Sequence, residues 1–209
     1  MSTRDTAMTT FKMIRSSWAA AAAAALAVSM AHPADAGDGA ALAASSALSV
    51  SVKTASGAYR IEGAFTVEAP PAVAWAVLTD YDRVPSFVSS MRSSTSQRGP
   101  SGRLLVTQEA VGRAGPFSRT MHVVLDVTEQ MPERIAFRDV CGGSFHSYAG
   151  SWTIAPEGPG ARVSYTLEAR PRSSPPLFAK SIMSANARGL LEQVRTEILR
   201  RGNATASSY

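Results

Sequence analysis

The sequence predicts an α+β domain: a curved antiparallel sheet of six to seven strands, wrapped on one long C-terminal helix, with two short helices after the first strand. Three observations predict it. Between residues 92 and 170 apolar and polar side chains alternate in short runs separated by Gly-Pro, Met-Pro-Glu, Cys-Gly-Gly-Ser and Glu-Gly-Pro-Gly. Towards the C-terminus the period becomes helical. A sheet that is apolar on one face must cover that face, and this helix is the only large apolar surface available.

The elements follow in order. Arg4, Lys12 and Arg15 precede an apolar block, Trp18 to Ala31, and Ala34-Asp35-Ala36 closes it with a small-x-small pattern. That order predicts a cleaved secretory signal over residues 1–36 and a periplasmic or secreted location. An uncleaved anchor is the alternative, although the block is shorter than the roughly 20 residues that span a bilayer. Residues 37–56 are small and turn-prone and read as a flexible lead-in. The folded domain is expected over 57–202, and 203–209 as a disordered tail.

Tyr59 to Ala69 alternates as a half-buried strand, with Tyr59, Ile61, Phe65 and Val67 on one side. Pro70 and Pro71 end it and open a short helix carrying Val73, Trp75 and Leu78. Pro85 then separates this helix from a second short helix or turn, which Asp82 or Ser86 would cap and which leads to Phe87, Val88 and Met91. Strands are expected over 92–99, 103–112, 117–130, 133–140, 147–155 and 161–170, joined by short turns and therefore antiparallel. From Pro175 or Pro176 to about Arg201, Met183, Ala187, Leu190, Leu191, Val194 and Ile198 line one helical stripe, and Gly202-Asn203 reads as its stop.

Composition excludes several classes. The chain is 45% hydrophobic and 18% charged, hence globular. Its net charge of +5 is scattered, not clustered as a nucleic-acid footprint requires. The excess allows a weak, transient contact with an anionic membrane surface. One cysteine, Cys141, permits no internal disulfide. No nucleophile, zinc-protease, phosphate-loop or dinucleotide motif is present, and His122, His146 and Cys141 make a poor metal set. Neither a catalytic residue nor a cofactor or metal is therefore expected. The spacing leaves the oligomeric state open.

Two motifs carry a resemblance. The first is LTDYDRVPSFVSSM, with Asp80, Tyr81, Pro85 and Phe87; the second is GSFHSYAGSW, with Gly143, Phe145, Gly150 and Trp152. Together with the element order they resemble the helix-grip (START/Bet v 1-like) fold of the SRPBCC superfamily, nearest the coenzyme Q-binding and polyketide cyclase-type proteins. Where coenzyme Q-binding relatives usually carry a second proline and then often an aromatic residue, this chain has Ser89 and Ser90.

The resemblance implies a cavity between the long helix and the concave sheet face. The apolar stripes would line it: Phe65 and Val67; Trp75; Phe87 and Met91; Met121, Val123 and Leu125; Phe137; Tyr148 and Trp152; Tyr165 and Leu167; and Met183, Ala187, Leu190 and Val194. Each of these, taken singly, is also what a packed core would show. Asp139 shares the face of Ile135 and Phe137, where it either meets a ligand polar group or sits in water at the strand end. The implied function is an exported binding or carrier protein for a small hydrophobic molecule: a lipid, isoprenoid quinone or polyketide-like compound. A cyclase or aromatase using the same cavity, and an interaction domain with a collapsed core, are the rivals.

Overall fold

The computed structural model describes residues 48–114, 117–172 and 179–206. The expected signal over 1–36 lies outside the described residues, as do 37–47 of the expected lead-in. Among the described residues eight strands form a single antiparallel sheet: β1 (Ser49–Ala55), β2 (Ala58–Val67), β3 (Met91–Arg98), β4 (Leu104–Ala114), β5 (Phe117–Gln130), β6 (Arg134–Asp139), β7 (Phe145–Glu157) and β8 (Gly160–Pro171). Their spatial order is β1-β2-β8-β7-β6-β5-β4-β3. Strands β3 to β8 are a meander, and β2 closes onto β8, with Phe65 opposite Val163 and Ile61 opposite Leu167. Three helices accompany it: α1 (Pro71–Leu78), α2 (Val84–Phe87) and α3 (Ala179–Ala206).

The sheet has eight strands where six to seven are expected. The lead-in expectation is corrected at 49–55, where Val50 and Val52 alternate with Ser49, Ser51 and Lys53. Ser56 (φ 49°) and Gly57 (φ 75°) form the two-residue turn into β2. Both central residues of a type I′ hairpin need positive φ, which is why this strand pairs so tightly with its neighbour. Its apolar content is low because only Val52 is buried there.

Pro71 opens α1, where its missing N–H is no loss. Thr79 ends that helix, its hydroxyl donating to the Trp75 carbonyl at 2.9 Å. One turn of 3-10 helix, Tyr81–Arg83, leads into α2, with Pro85 in its first turn. Neither Asp82 nor Ser86 caps it. The Asp82 carboxylate instead accepts from the Ser96 amide (2.6 Å) and hydroxyl (3.0 Å), pinning the turn to β3. Ser86 donates back to the Arg83 carbonyl.

The long helix α3 has 28 residues, about 42 Å at 1.5 Å per residue. It crosses the concave face unevenly. From its middle onward Leu191 and Ile198 are completely buried and Val194 nearly so. Leu191 sits against Gly63 of β2, where any side chain would collide with it. In its N-terminal half Met183 and Leu190 are only partly buried. The predicted stop at Gly202 is corrected, and so is the predicted disordered tail at 203–206: the helix continues to Ala206; 207–209 of that tail lie outside the described residues. Gly202 is there for space, since a Cβ at that position would lie 3.1 Å from the Ala69 side chain.

Candidate functional site

The uneven docking of α3 leaves unfilled space beneath its N-terminal half. A chamber of about 390 Å³ lies between that half and the inner faces of β2, β4, β5, β7 and β8. Ile61, Met121, Phe145, Leu167 and Ala169 supply the sheet wall, and Ile182, Met183, Ala187 and Leu190 the helix wall. A second chamber of about 120 Å³ adjoins it, bounded by Val77, Leu78, Tyr81, Val84 and Phe87 on one side. Val106, Leu125, Val127, Ile135, Phe137 and Trp152 bound it on the other. Val88, Met91, Tyr148, Tyr165 and Leu190 border both chambers.

Period-two geometry explains this convergence. The side chains at 121, 123, 125 and 127 share the inner face of β5, and those at 163, 165, 167 and 169 the inner face of β8. Phe137 pairs across the sheet with Gly150, whose missing side chain makes room for the ring. The aromatics form a connected wall. Trp152 and Tyr165 have ring centroids 4.5 Å apart, Phe145 and Tyr148 4.8 Å, and Phe137 and Tyr148 6.1 Å, all tilted. Such offset and tilted contacts suit the ring quadrupoles.

Polar groups in this space are few and placed. The Tyr148 and Tyr165 phenols both stand where the two chambers meet. Burial, the largest cause, raises both phenols above the usual tyrosine value, so both stay protonated donors. Tyr81, at the far side of the small chamber, donates to Glu129 Oε1 at 2.8 Å, and Arg98 holds the other Glu129 oxygen at 3.0 Å. Burial and then that hydrogen bond raise the Tyr81 phenol strongly. Gln108 faces the same chamber and reaches Ser94 at 3.2 Å. At the large chamber Ser90, Ser118, Arg119, Ser144 and Asn186 supply the polar lining. Ser144 Oγ accepts from the His122 amide at 3.0 Å, which leaves its own O–H available to donate.

Of the residues nominated from sequence, Phe87, Leu125, Phe137, Trp152 and Val194 line the small chamber, and Met121, Leu167, Met183 and Ala187 the large one. Met91, Tyr148, Tyr165 and Leu190 border both. Five nominations are corrected. Phe65 and Val67 are buried in the solid core where α3 packs directly on β2. Trp75 is buried on α1, which turns Val77 and Leu78 to the chamber in its place. Val123 is buried on the inner face of β5, between Met121 and Leu125, and borders neither chamber. Asp139 faces a turn: its carboxylate accepts from the Val124, Cys141 and Gly142 amides at 3.0–3.2 Å and from Cys141 Sγ at 3.1 Å. Partial burial opposes its charge, but these hydrogen bonds together outweigh it and lower its pKa.

Sequence reasoning missed Tyr81, Gln108, Arg119 and Asn186. Arg119 has the same parity as Met121 and Leu125, so the alternation already placed it on the inner face. Asn186 lies three residues after Met183 on the same helical face. Among the described residues, no cluster of three or more His, Cys, Asp or Glu side chains is placed to hold a metal ion.

The sequence model of the family described as "Polyketide cyclase / dehydrase and lipid transport" matches residues 58–200. The chain belongs to that family. Solved structures share its fold. A STAR-related lipid transfer protein from Xanthomonas axonopodis aligns with a TM-score of 0.54 and 16% identity, over 71% of this chain and 98% of that one. The Zhui aromatase/cyclase from a Streptomyces species aligns with a TM-score of 0.55 and 15% identity, over 70% and 94%. The protein TTHA0849 from Thermus thermophilus aligns with a TM-score of 0.56 and 20% identity, over 68% and 98%. At such identities these likenesses show the fold alone, a helix-grip architecture. No curated protein matches the chain closely enough to add to this.

Proposed function

We propose that this protein is an exported carrier that binds one small hydrophobic molecule between α3 and the sheet. The observation that carries the reading is the large chamber: about 390 Å³, bounded mainly by apolar side chains and left open because α3 docks tightly at one end only. Pockets for small molecules fall in this size range and have this composition, apolar walls with a few placed polar groups. Burying a ligand's apolar surface here gains roughly 25 cal/mol per Å². Binding of that kind needs no cofactor. Export follows from the charge, apolar block and small-residue exit of residues 1–36.

A second reading, a cyclase or aromatase, is favoured by one observation: the Tyr148–Tyr165 phenol pair stands inside the apolar space as a protonated donor. Such a pair can orient a carbonyl in a folded chain.

Native mass spectrometry of the purified protein, followed by organic extraction, tests carriage. A stoichiometric lipid, quinone or polyketide-like compound is expected. A protein that stays empty across panels of all three sinks the reading. Turnover of a polyketide-type chain, abolished in Tyr165→Phe, would favour the second.

A further inference from the structure

We propose that the large chamber is built for a single-chain amphiphile with an anionic head, and that Arg119 receives that head. The inference rests on the carrier reading above and gives its ligand a class. Size comes first. An apolar cavity of about 150 Å³ holds one benzene ring, so a chamber of about 390 Å³ holds about fifteen non-hydrogen atoms on the same scale. That suits one acyl chain of medium to long length. Two-chain phospholipids and long isoprenoid quinones have several times as many atoms.

Charge comes second. Among the described residues Arg119 is the one ionisable side chain other than tyrosine that borders the chamber. It is exposed, on the inner-face parity of β5, two residues before Met121. The chain therefore meets a polar edge at Arg119 and apolar walls further in. Neutral donors share that edge: Ser118, Ser90, Asn186 and Ser144, whose O–H remains available. Arg172 stands at the neighbouring turn, where its Nε donates to the Gly142 carbonyl at 2.6 Å. The carboxylate in that turn, Asp139, is already occupied by three backbone amides and a thiol. A carboxylate or phosphate head accepts paired N–H groups from a guanidinium and hydroxyls beside it. A neutral alcohol head offers no charge to the guanidinium.

Calorimetric titration of the full chain with palmitate, palmitoyl lysophosphatidic acid and hexadecanol tests this, alongside incubation with dioleoylphosphatidylcholine vesicles. At least one anionic ligand is expected to bind about tenfold more tightly than hexadecanol. Arg119→Gln should abolish that preference, Arg119→Lys should restore part of it, and neither should change hexadecanol binding. Which anion wins identifies the head as carboxylate or phosphate. Equal binding of hexadecanol and both anions overturns the head-group inference and leaves the carrier reading standing. Stoichiometric retention of the two-chain phospholipid overturns the single-chain inference. If no ligand binds, hexadecanol included, the chamber is not a hydrophobic site and the carrier reading falls with it.

Discussion

The Ser89 amide donates to Gln193 Oε1 at 2.6 Å, and Gln193 Nε2 donates back to the Ser89 hydroxyl at 3.2 Å. This reciprocal pair ties the segment after α2 to the middle of α3. On one side of Ser89 is Val88, and two residues beyond it is Met91, both of which border the two chambers. The pair therefore latches part of the cavity wall to the helix that roofs it. A proline at 89 would remove the amide donor, so the serine is what makes this latch available.

Breaking the latch should alter exchange more than fold. Gln193→Ala removes two surface hydrogen bonds, a stability loss of about 0.5–1.5 kcal/mol each at most. Ligand dissociation should accelerate several-fold in Gln193→Ala and in Ser89→Pro, measured by stopped-flow displacement of a fluorescent fatty acid. Wild-type exchange rates in both variants would show that the segment does not gate the chamber.

Filling the chamber should separate binding from stability. Ala187 is buried on α3 and faces the large chamber. Ala187→Phe places a ring in existing space, so the usual overpacking cost of about 1–3 kcal/mol should be largely avoided. Ligand affinity should fall at least about tenfold by calorimetry while the thermal midpoint stays level or rises. A large drop in the midpoint with binding retained would mean that the space is not where the ligand goes.

Much of this fold was legible because period-two alternation and a 3.6-residue stripe are local signals. The turn chemistry between β3 and β8 was equally local. The strand at 49–55 was not, because its outward side chains are serines, lysine and threonine and only Val52 is fully buried. The site was legible by face but not by depth. Phe65 and Trp152 lie on the same inner surface, yet Phe65 is under the tightly docked half of α3 and Trp152 beside the small chamber. Alternation cannot report where along its length a helix lifts off a sheet. Asp139 failed for a different reason: parity set its face, but three backbone amides, two of them in the following turn, captured its carboxylate.

That difference in depth makes a paired prediction. Phe65→Ala should cost about 3–5 kcal/mol, the usual penalty for emptying a buried aromatic site, with ligand affinity of the folded fraction little changed. Trp152→Ala enlarges the small chamber and removes the 4.5 Å contact with Tyr165. It should weaken ligand binding at a smaller stability loss. Urea unfolding and titration of both variants check this. The reverse order of effects would mean that the ligand occupies the core beside β2.

The C-terminal end of α3 predicts the pH response. Glu197 accepts from Arg200 at 2.7 Å on each carboxylate oxygen and from Arg201 Nε at 2.7 Å. Arg201 also contacts Asp80 Oδ2 at 2.9 Å, and its guanidinium lies over the Phe87 ring, 5.9 Å from the centroid. One buried carboxylate thus joins α3 to the α1–α2 segment that walls the small chamber. The Arg200 hydrogen bond, opposed by burial and reinforced by Arg201, lowers the Glu197 pKa to about 2. The folded value lies below the ordinary 4.5, so the unfolded chain binds the proton more readily. This contribution is complete above about pH 4.5 and is lost as pH falls towards 2, with a size on the order of 2–3 kcal/mol. Glu197→Gln should therefore unfold at lower urea concentration than wild type at pH 7, and the gap should close in acid. Removing the carboxylate also leaves Arg201 half-buried beside Asp80 alone, so the loss at pH 7 can reach about 3–5 kcal/mol. A gap between the two proteins that stays constant from pH 7 to pH 2 would rule out the ion cluster as its source.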